Sequence, residues 1–498
     1  MSRAKTVRIC ALTLLVVVLV VAMVSAICGR GPWYDEFFTH YVTRPCQGLS
    51  SLWPVWLGDN HPPLFYFLTW ATNFLGDSFV QRRTVNLAFF VIGGAAVLLL
   101  YRTRPAFRSL AIPYGIALAS YLPAIDRVSE LRSNFLAYVA AAVAVAALSE
   151  LARPNQSPRS LRALVFLTLA LAVALSVHLA ATMIVGAVGA AFGLRLLLMR
   201  DWRGTRELAV AGTIAAAPFV GIMALQLGAI AQNTQNFWVP AGLDGARWAI
   251  ENEIVANLAA NWPLTVTGVT GLAILGMRVL RDRRLSDQAS LAVTLGVGIV
   301  LAIVVLVAAH LQRPFVIDRY LVSLHAPMAM LLATGVVTVV ECVAGSVAVA
   351  IDLLMVAGAL FAIHANLQRT LARPSWNGTG AAIARIVANC PGTIVHVAMS
   401  WNEPVREMPP IENRAVFPYA YNWVARSYGF GLAPPASKEI AKGCPTVFWA
   451  EHLAGQHPTT EIVRGRLRQM GFAVHSGHLE RIGDGWIYVV PSPLTSES

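Results

Sequence analysis

The dominant pattern along the first three-quarters of the chain is a series of apolar runs separated by short polar segments. A helix needs roughly 20 consecutive apolar residues to cross the hydrocarbon core of a bilayer. Several runs reach that length, so the pattern predicts a polytopic α-helical membrane protein with about eleven transmembrane helices. These helices are predicted at approximately residues 9–28, 84–101, 109–124, 133–151, 163–178, 180–198, 207–228, 264–279, 289–310, 320–340 and 345–364.

The distribution of arginine predicts the topology. Up to residue 286, loops that are rich in arginine alternate with loops that are poor in it. Because cytoplasmic loops carry the excess of Lys and Arg, we expect a cytoplasmic N-terminus and outer loops at 29–80 and 229–263. The first apolar run is too long for a cleaved signal peptide and is predicted to be retained. The turn between the last two predicted helices has no basic residue, so the prediction of that hairpin depends on hydropathy alone.

Composition agrees with a membrane protein and argues against a nucleic-acid-binding one. The 498 residues are 56% hydrophobic and 13% charged, with a mean hydropathy of +0.60, which lies outside the range of soluble globular proteins. The net charge is +12, but most basic residues lie in short loops between apolar runs. That placement is typical of a topology signal, so no nucleic-acid partner is expected.

The pattern changes after residue 368, where turn residues, mixed charge and short β-rich runs begin. We therefore predict two domains: a transmembrane module, 1–368, whose first outer loop 29–80 carries the active site, and an extracytoplasmic α/β domain, 369–498. Within the second domain, the patterns at 393–398, 446–449, 471–474 and 486–490 predict strands, and those at 380–388 and 461–470 predict helices.

Two cysteines in this second domain stand in similar places. Cys390 and Cys444 each precede a proline and a predicted strand. Equivalent positions at the starts of neighbouring strands would bring their Cα atoms near disulfide distance. A bridge would contribute roughly 4 kcal/mol in the chain-entropy model and would require an oxidising compartment. The alternative is two small core residues.

The first outer loop holds the most conspicuous candidate chemistry. Asp35 and Glu36 are adjacent, directly after the first helix and between aromatic residues. Carboxylates at a membrane boundary are costly without a partner or a function, although a solvated surface pair is the alternative. One carboxylate of a desolvated pair can act as a general base. Later in the loop, Asp59 and His61 precede two prolines, and His61 could cap the next segment, bind a metal or face a phosphate.

Further polar residues lie at the predicted outer ends of other helices. An arginine there can hold a phosphate through two N–H groups or reach lipid headgroups. For the segment that contains Glu130 and Arg132, the alternative is a solvated turn. For His178, the alternative is a buried structural histidine. The set comprises Arg82, Arg83, Glu130, Arg132, His178, Arg319 and Tyr320. Acids and arginines on one outer face suit transfer from a lipid-linked phosphate donor: arginines would stabilise the departing phosphate and a carboxylate would take a proton from the acceptor hydroxyl.

The order of these motifs resembles a known family. The segments are WYDEFFT from residue 33, DNHPPLFYFLTW from 59, SELRSNF from 129, the histidine at 178, FWVP from 237 and PFVIDRY from 314. Together they resemble the GT-C glycosyltransferases of the dolichyl-phosphate-mannose protein mannosyltransferase-like group, over about residues 1–370. That group includes bacterial lipid A aminoarabinose transferases and rhizobial galacturonosyl transferases. The chain differs at Asn134, where a tyrosine is frequent, and at His61, where aminoarabinose transferases typically have a lysine.

The resemblance implies a GT-C-like fold and an inverting transferase that uses a polyprenyl-phosphate sugar at the periplasmic face of a bacterial inner membrane. Asp35 would be the catalytic carboxylate, with Glu36 in support. The residues implied near the donor phosphate are His61, Arg82, Arg83, Arg132, Arg319 and Tyr320, supported by Asp59, Glu130 and His178. No cofactor is certain, but a divalent metal is compatible with the resemblance, with Asp35 and His61 as candidate ligands.

The expected partners are the sugar donor, membrane lipids, and an envelope lipid, glycan or protein as acceptor. Two other classes stay open at this point. A transporter or lipid flippase would place charges near helix centres and would be expected to show inverted repeats. A non-catalytic receptor would use the C-terminal domain to bind a partner, and its named residues would not converge.

Overall fold

The computed structural model of the chain describes residues 3–45, 47–103, 105–151, 161–234, 239–398, 416–451 and 458–492. In chain order the helices are α1 (Arg3–Gly29), α2 (Tyr34–Val42), α3 (Leu49–Leu57), α4 (Leu64–Ala71), α5 (Phe79–Arg83), α6 (Val85–Thr103), α7 (Pro105–Ser120), α8 (Pro123–Asp126), α9 (Asn134–Leu151), α10 (Leu161–Val177), α11 (Leu179–Leu198), α12 (Trp202–Asn233), α13 (Leu243–Ala260), α14 (Trp262–Asp282), α15 (Asp287–Gln312), α16 (His325–Cys342), α17 (Gly345–Leu371), α18 (Trp376–Asn389), α19 (Val416–Ser427) and α20 (Thr460–Gln469). Short 3-10 helices lie at Asn73–Leu75, Asp318–Tyr320 and Val322–Leu324, and the strands are β1 (Ile394–Val397), β2 (Thr446–Ala450), β3 (His478–Ile482) and β4 (Gly485–Val490).

The chain divides into two compact units. The membrane unit comprises Met1–Cys28 and Trp56–Thr370, and the sheet unit comprises Gly29–Val55 and Leu371–Ser498. The predicted outer loop 29–80 is therefore shared between them: its first part belongs with the C-terminal residues and its second part with the helices.

The polytopic helical architecture predicted from hydropathy is confirmed. Within the described ranges, nine helices are long and apolar enough to cross a membrane. Each coincides with one of the eleven apolar runs. The third and fifth runs form α7 and α10, which have 16 and 17 residues and are shorter than the roughly 20 that a straight crossing needs.

Hydropathy did not predict the helices inside the outer loops. The loop expected at 229–263 contains α13, and the loop expected at 29–80 contains α2, α3 and α4. These helices lack a long apolar run, so the length criterion for a membrane span misses them. The buried side of α13 includes Ala246 and Ile250, which belong to one apolar cluster with Leu306 of α15 and with Tyr320. Its other side leaves Trp248 exposed.

Two helices form the centre of the membrane unit. In the apolar segments of α9 and α16, 94% and 89% of the residues are buried. α16 crosses α14 at very short range: a Cβ added at Gly271 would lie 1.8 Å from the carbonyl oxygen of Gly335, and one at Gly335 would lie 1.9 Å from that of Gly268. Small residues at such crossings allow the two backbones to approach closely. In a membrane, where the hydrophobic effect does not drive helices together, this close van der Waals packing stabilises their association.

Contacts at both ends show that α1 and α17 run in the same direction. Near their beginnings, Arg8 Nε lies 2.7 Å from Asp352 Oδ2. At their ends, a Cβ added at Gly29 would come within 2.6 Å of Leu371 Cδ2. α17 therefore crosses the bundle parallel to α1, and the hairpin between α16 and α17 that lacked a basic residue is formed as hydropathy predicts.

The sheet unit contains a four-stranded sheet of order β1-β2-β4-β3. β1 pairs with β2 in parallel, and the other pairs are antiparallel. Its core includes Phe448, Val463, Leu467 and Tyr488. The small α/β domain predicted from the C-terminal pattern is confirmed, with β1, β2 and β4 at three of the four predicted strands.

The remaining predicted strand, 471–474, is wrong. Gly471 has a φ of +89° in the turn after α20, and the segment continues without strand structure, although Phe472 and Val474 are buried. The strand that was missed, β3, alternates weakly because most of its side chains are exposed at the edge of the sheet.

Cys390 and Cys444 form a disulfide, with Cα atoms 5.7 Å apart.

Candidate active site

The turn between α3 and α4 in the membrane unit is organised around the carboxylate of Asp59. Tyr66, one turn into α4, donates its hydroxyl to Asp59 Oδ2 over 2.5 Å. The backbone N–H of His61 donates to the same oxygen over 3.3 Å, and His61 Nδ1 lies 3.3 Å from it. The carboxylate thus fixes the position of the His61 ring relative to α4.

These contacts keep Asp59 ionised. Burial alone would raise the pKa of Asp59, but its hydrogen bond and electrostatic interaction with His61 lower that pKa. Arg132 and the hydroxyl of Tyr66 act in the same direction, and the pKa of Asp59 falls to about 2. A carboxylate with so low a pKa is a poor proton acceptor near neutrality, so Asp59 serves to orient His61 rather than to act as a base.

Two amide side chains of α12 hold this turn by its backbone. Gln226 is fully buried, and its Nε2 donates to the carbonyl oxygens of residues 56, 59 and 61 at 2.9, 3.3 and 3.2 Å. Seven residues later, on the same face of α12, Asn233 Nδ2 donates to the carbonyl oxygen of Gly58 over 2.8 Å. Sequence reasoning missed both residues, although a glutamine within an otherwise apolar run is itself a signal.

His178 lies at the start of α11 beside the same turn. Its ring centroid is 5.1 Å from that of His61 and 4.7 Å from that of Tyr320. Its Nδ1 accepts the backbone N–H of Ala180 over 3.2 Å, which caps the helix. A neutral imidazole that accepts through Nδ1 carries its proton on Nε2. This Nε2 is buried and has no hydrogen-bond partner among the described residues.

The surroundings of His178 disfavour a second proton. Burial of the ring lowers the pKa of His178 well below the usual value, and electrostatic interaction with His61, Arg132 and Arg319 lowers it further. The result is a neutral N–H donor under the electrostatic influence of two arginines. Such an arrangement suits an anion, because both the donor and the charges favour negative charge.

Glu130 takes part in a different contact. Arg127 Nη1 lies 2.7 Å from Glu130 Oε1 and 3.1 Å from Asp126 Oδ2, and Arg127 Nη2 lies 3.7 Å from Asp318 Oδ2. Burial would lower the pKa of Arg127, but the carboxylates of Glu130, Asp126 and Asp318 raise it. This network, in which Arg127, Glu130 and Asp126 are buried and Asp318 is exposed, joins the turn that carries Arg132 to the turn that carries Arg319. Sequence reasoning missed Arg127 as its centre.

Arg82 and Arg83 are fully buried. Arg82 Nη2 donates to the carbonyl oxygen of Thr69 over 3.2 Å, and Arg83 Nη1 donates to that of Ile27 over 3.3 Å. These bonds tie α5 to α4 and to α1, so both arginines have a role within the helix bundle. Neither is among the residues that shift the pKa of Asp59 or His178.

A second buried histidine follows the turn of Arg319 and Tyr320. His325 Nε2 lies 2.9 Å from Glu253 Oε1 of α13, and Nδ1 lies 3.0 Å from the carbonyl oxygen of Val322. The carbonyl oxygen can only accept, so Nδ1 donates to it, and Nε2 is paired with the carboxyl group of Glu253. This contact fixes α13 to the beginning of α16. Sequence reasoning missed His325, which lies five residues after Tyr320.

Asp35 and Glu36 lie in the first turn of α2, in the sheet unit. Glu36 is fully buried, whereas Asp35 is partly exposed. Aromatic contacts hold the helix: the ring of Phe37 is 5.0 Å from that of Trp376 and 5.7 Å from that of Trp423. The hydroxyl of Tyr419 is hydrogen-bonded to His40 Nδ1. Within the sheet unit, Asp35 is therefore the more accessible acid of the pair.

The structure thus brings Asp59, His61, Tyr66, Arg132, His178, Arg319 and Tyr320 into one set of interacting groups within the membrane unit. In the part of the chain that the structure describes, no three His, Cys, Asp or Glu side chains form a group that could hold a metal ion. Of the FWVP segment, residues 237 and 238 lie outside the described residues.

Comparisons with known proteins identify the fold. No protein-family profile matches the chain, and no curated protein matches its sequence. Among solved structures, ArnT from Cupriavidus metallidurans in the apo state matches with a TM-score of 0.58 and 13% identity, over 100% of both chains. ArnT from the same organism bound to undecaprenyl phosphate matches with a TM-score of 0.57 and 12% identity, also over 100% of both chains. The chain has the GT-C-like fold of these structures, as its motifs predict.

Proposed function

We propose that the protein is an integral-membrane glycosyltransferase that moves a sugar from a polyprenyl-phosphate donor to an acceptor hydroxyl. One observation carries the proposal: the buried Nε2–H of His178 has no hydrogen-bond partner among the described residues, and its ring lies 5.1 Å from that of His61 and interacts electrostatically with Arg132 and Arg319. A phosphate would satisfy the donor and offset the positive charge. The GT-C-like fold supports this, since a structure with that fold is bound to undecaprenyl phosphate.

The transfer requires one bond to form and one to break. The acceptor oxygen bonds to the anomeric carbon while the bond from that carbon to the phosphate oxygen breaks, which inverts the configuration. The electron pair leaves with the polyprenyl phosphate, and His178, Arg132 and Arg319 stabilise its charge. Asp35 takes the proton of the acceptor hydroxyl. Its partial exposure, beside the buried Glu36, supports assigning the proton transfer to Asp35 and a supporting role to Glu36.

We further propose that the reaction takes place at the periplasmic face of a bacterial inner membrane, with the N-terminus in the cytoplasm. The alternation of arginine-rich and arginine-poor loops supports this orientation, and the disulfide in the sheet unit fits an oxidising compartment. His61 stands where aminoarabinose transferases typically have a lysine, so aminoarabinose is not the sugar that we expect. A divalent metal at Asp35 or His61 remains a hypothesis from the resemblance.

The test is complementation of a deletion strain, with mass spectrometry of the envelope lipids and glycans. Loss of one sugar from one envelope molecule in the deletion, restored by wild-type protein, supports the transferase. Asp35→Asn should reduce transfer about 100- to 10,000-fold, the range for loss of a general base. Asp77→Asn, at an exposed acid of the same predicted loop, should restore fully. Restoration by folded Asp35→Asn would remove Asp35 as the base, and an unchanged envelope in the deletion would count against the transferase.

A further inference from the structure

Two buried hydrogen-bond donors of the membrane unit have no partner among the described residues. They are the hydroxyl of Tyr121, directly after α7, and Nδ2 of Asn257, in α13. Tyr121 is 1% exposed and Asn257 is 3% exposed. A buried donor without a partner destabilises a folded protein, so two such donors in one region indicate a role other than stability.

Contacts of α13 on either side of Asn257 locate its side chain. Glu253, Asn257 and Asn261 follow each other at intervals of four residues, so they occupy one side of the helix. Asn261 Nδ2 donates to Ser120 Oγ over 2.9 Å, and Glu253 Oε1 lies 2.9 Å from His325 Nε2. Asn257 is one turn from each of these contacts and therefore faces the space between Ser120 and His325.

Tyr121 lies in that same space. It follows Ser120 directly, and its ring centroid is 5.2 Å from that of His325. The two donors are thus brought to one place, beside the carboxylate of Glu253. The side chain of Glu253 is 14% exposed, and a carboxylate can accept more hydrogen bonds than its contact with His325 uses.

Tyr320 connects this space to the groups that we assign to the phosphate. Its ring centroid lies 4.7 Å from that of His178. The 3-10 helix that ends at Tyr320 contacts α13, and Tyr320 belongs to one apolar cluster with Ala249 and Ile250. These two residues precede Glu253 by about one helical turn. The two donors and Glu253 are therefore linked to the phosphate groups through a single aromatic side chain.

We propose that Tyr121, Asn257 and Glu253 bind hydroxyl groups of the transferred sugar while its phosphate lies at His178, an inference that rests on the proposed function. A hydroxyl both accepts and donates, so it can accept a bond from Tyr121 or Asn257 and donate one to the carboxylate. Two neutral donors beside a carboxylate do not suit a phosphate, which requires positive charge. Because a site built to hydrogen-bond a hydroxyl rejects an analogue that lacks it, these residues select the sugar rather than the lipid.

The test uses the opposite effects that this role predicts on stability and on binding. Tyr121→Phe and Asn257→Leu, alone and together, delete the donors and nearly keep the size of the side chains. Each removes a buried donor for which the described residues supply no acceptor, so the melting temperature should stay the same or rise. The matched control is Tyr138→Phe. The ring of Tyr138 is also near that of His325, at 6.0 Å, but its hydroxyl donates to the carbonyl oxygen of Leu118 over 2.7 Å, so its loss should lower the melting temperature and leave sugar binding unchanged.

Sugar binding is measured with the lipids of the deletion strain. Purified full-length protein is incubated with these lipids in detergent, and the retained molecules are quantified by mass spectrometry. The readout is the ratio of sugar-linked polyprenyl phosphate to free polyprenyl phosphate, which share the phosphate and the tail. We expect this ratio to fall about 2- to 12-fold in each single variant and about 5- to 150-fold in the double variant. The affinity for undecaprenyl phosphate alone should not change.

An unchanged ratio in the folded double variant would overturn the sugar assignment while leaving the proposed function intact. A melting temperature that falls as far in Tyr121→Phe as in Tyr138→Phe would overturn it too, because Tyr121 would then be a structural residue. If the variants instead lose a retained sugar-containing molecule without a polyprenyl phosphate, the residues bind the acceptor and the assignment to the donor is wrong. Retention of no sugar-linked polyprenyl phosphate by wild-type protein would count against the proposed function itself.

Discussion

The backbone N–H of Ala180 donates to Nδ1 of His178 over 3.2 Å, and this one contact decides which nitrogen of the ring is available for a ligand. Because Nδ1 accepts, Nε2 carries the proton and is the donor left without a partner among the described residues, on a ring that interacts electrostatically with His61, Arg132 and Arg319. A helix cap and a proposed phosphate donor are thus combined in one side chain.

His178→Asn separates these two roles. An asparagine oxygen caps a helix well, so the melting temperature should stay close to that of wild-type protein, whereas the donor at the Nε2 position is lost. We expect binding of geranyl phosphate to weaken about 10- to 150-fold, the effect of losing one charge-assisted hydrogen bond of roughly 1.5–3 kcal/mol. Titration calorimetry measures the affinity. An unchanged affinity in stable His178→Asn protein would mean that Nε2 does not contact the phosphate.

The same site makes a prediction about pH. Since the pKa of His178 lies well below its usual value, His178 should remain neutral from pH 8 down past its ordinary titration range near 6.5. Asp59, with a pKa of about 2, should remain ionised over the same range. Neither residue should produce a step in phosphate binding there, so any step between pH 5 and 8 should persist in His178→Asn protein. Loss of such a step in that variant would contradict the neutral state of His178.

Gln226→Met should loosen the turn that carries Asp59 and His61. The substitution keeps the length of the side chain but removes the three hydrogen bonds to backbone carbonyl oxygens. Buried carbonyls left without donors cost about 1–3 kcal/mol, so the melting temperature should fall and phosphate binding should weaken together. Asn233→Ala removes a single bond to Gly58 at the exposed end of the turn and should have the smaller effect. Equal effects of the two variants would argue against Gln226 as the main support.

The sequence predicted the membrane spans because their signal is local: an apolar run is visible without knowledge of its partners. It also placed Arg132, His178 and Arg319 at one end of the bundle, because the arginine content of the loops fixes which helix ends share a side. The supports of the site could not be found in this way. Gln226 contacts residues about 170 positions away in the chain, and Glu253 contacts His325, so each is recognisable only from tertiary structure.

The position of α2 illustrates the same limit. Asp35 and Glu36 were conspicuous as charges in an apolar chain, but nothing near them in sequence indicates that Phe37 packs on Trp376 and Trp423. The aromatic residues around the acid pair predicted an interfacial setting. In the structure, contacts of Phe37 tie α2 to helices that begin more than three hundred residues later.

The pair of His325 and Glu253 should behave as a coupled unit. The His325 ring is buried and the Glu253 side chain is partly exposed. Removing one partner of a fully buried ion pair typically costs about 3–5 kcal/mol, an upper bound for this pair, whereas replacing both partners with apolar residues is often tolerated. We therefore expect His325→Phe or Glu253→Leu alone to lower the melting temperature strongly, and the double variant to recover much of the loss. A double-mutant cycle on the full-length protein measures the coupling. Additive losses would show that the two side chains do not stabilise each other.

Glu451 makes the stability of the sheet unit depend on pH. Burial raises the pKa of Glu451 from 4.5 to about 8, although hydrogen bonds from Thr379 and Trp449 act in the opposite direction. The unfolded chain releases this proton near pH 4.5, so between about pH 4.5 and 8 the folded state binds more protons. Stability should therefore be greatest below pH 4.5 and fall as the pH rises towards 8, by up to about 1.4 kcal/mol per unit.

Hydrogen exchange of the peptides that contain β2 and β4, corrected for intrinsic rates, measures this effect in the full-length protein. Glu451→Gln keeps an oxygen acceptor but cannot ionise, so protection of both strands should become nearly independent of pH and should exceed that of wild-type protein at pH 8. Asp484→Asn provides an intermediate case, because the negative charge of Asp484 contributes to the raised pKa of Glu451 and its removal should reduce the pH dependence without abolishing it. A wild-type sheet equally protected at pH 5 and pH 8 would mean that Glu451 is not held protonated by its burial.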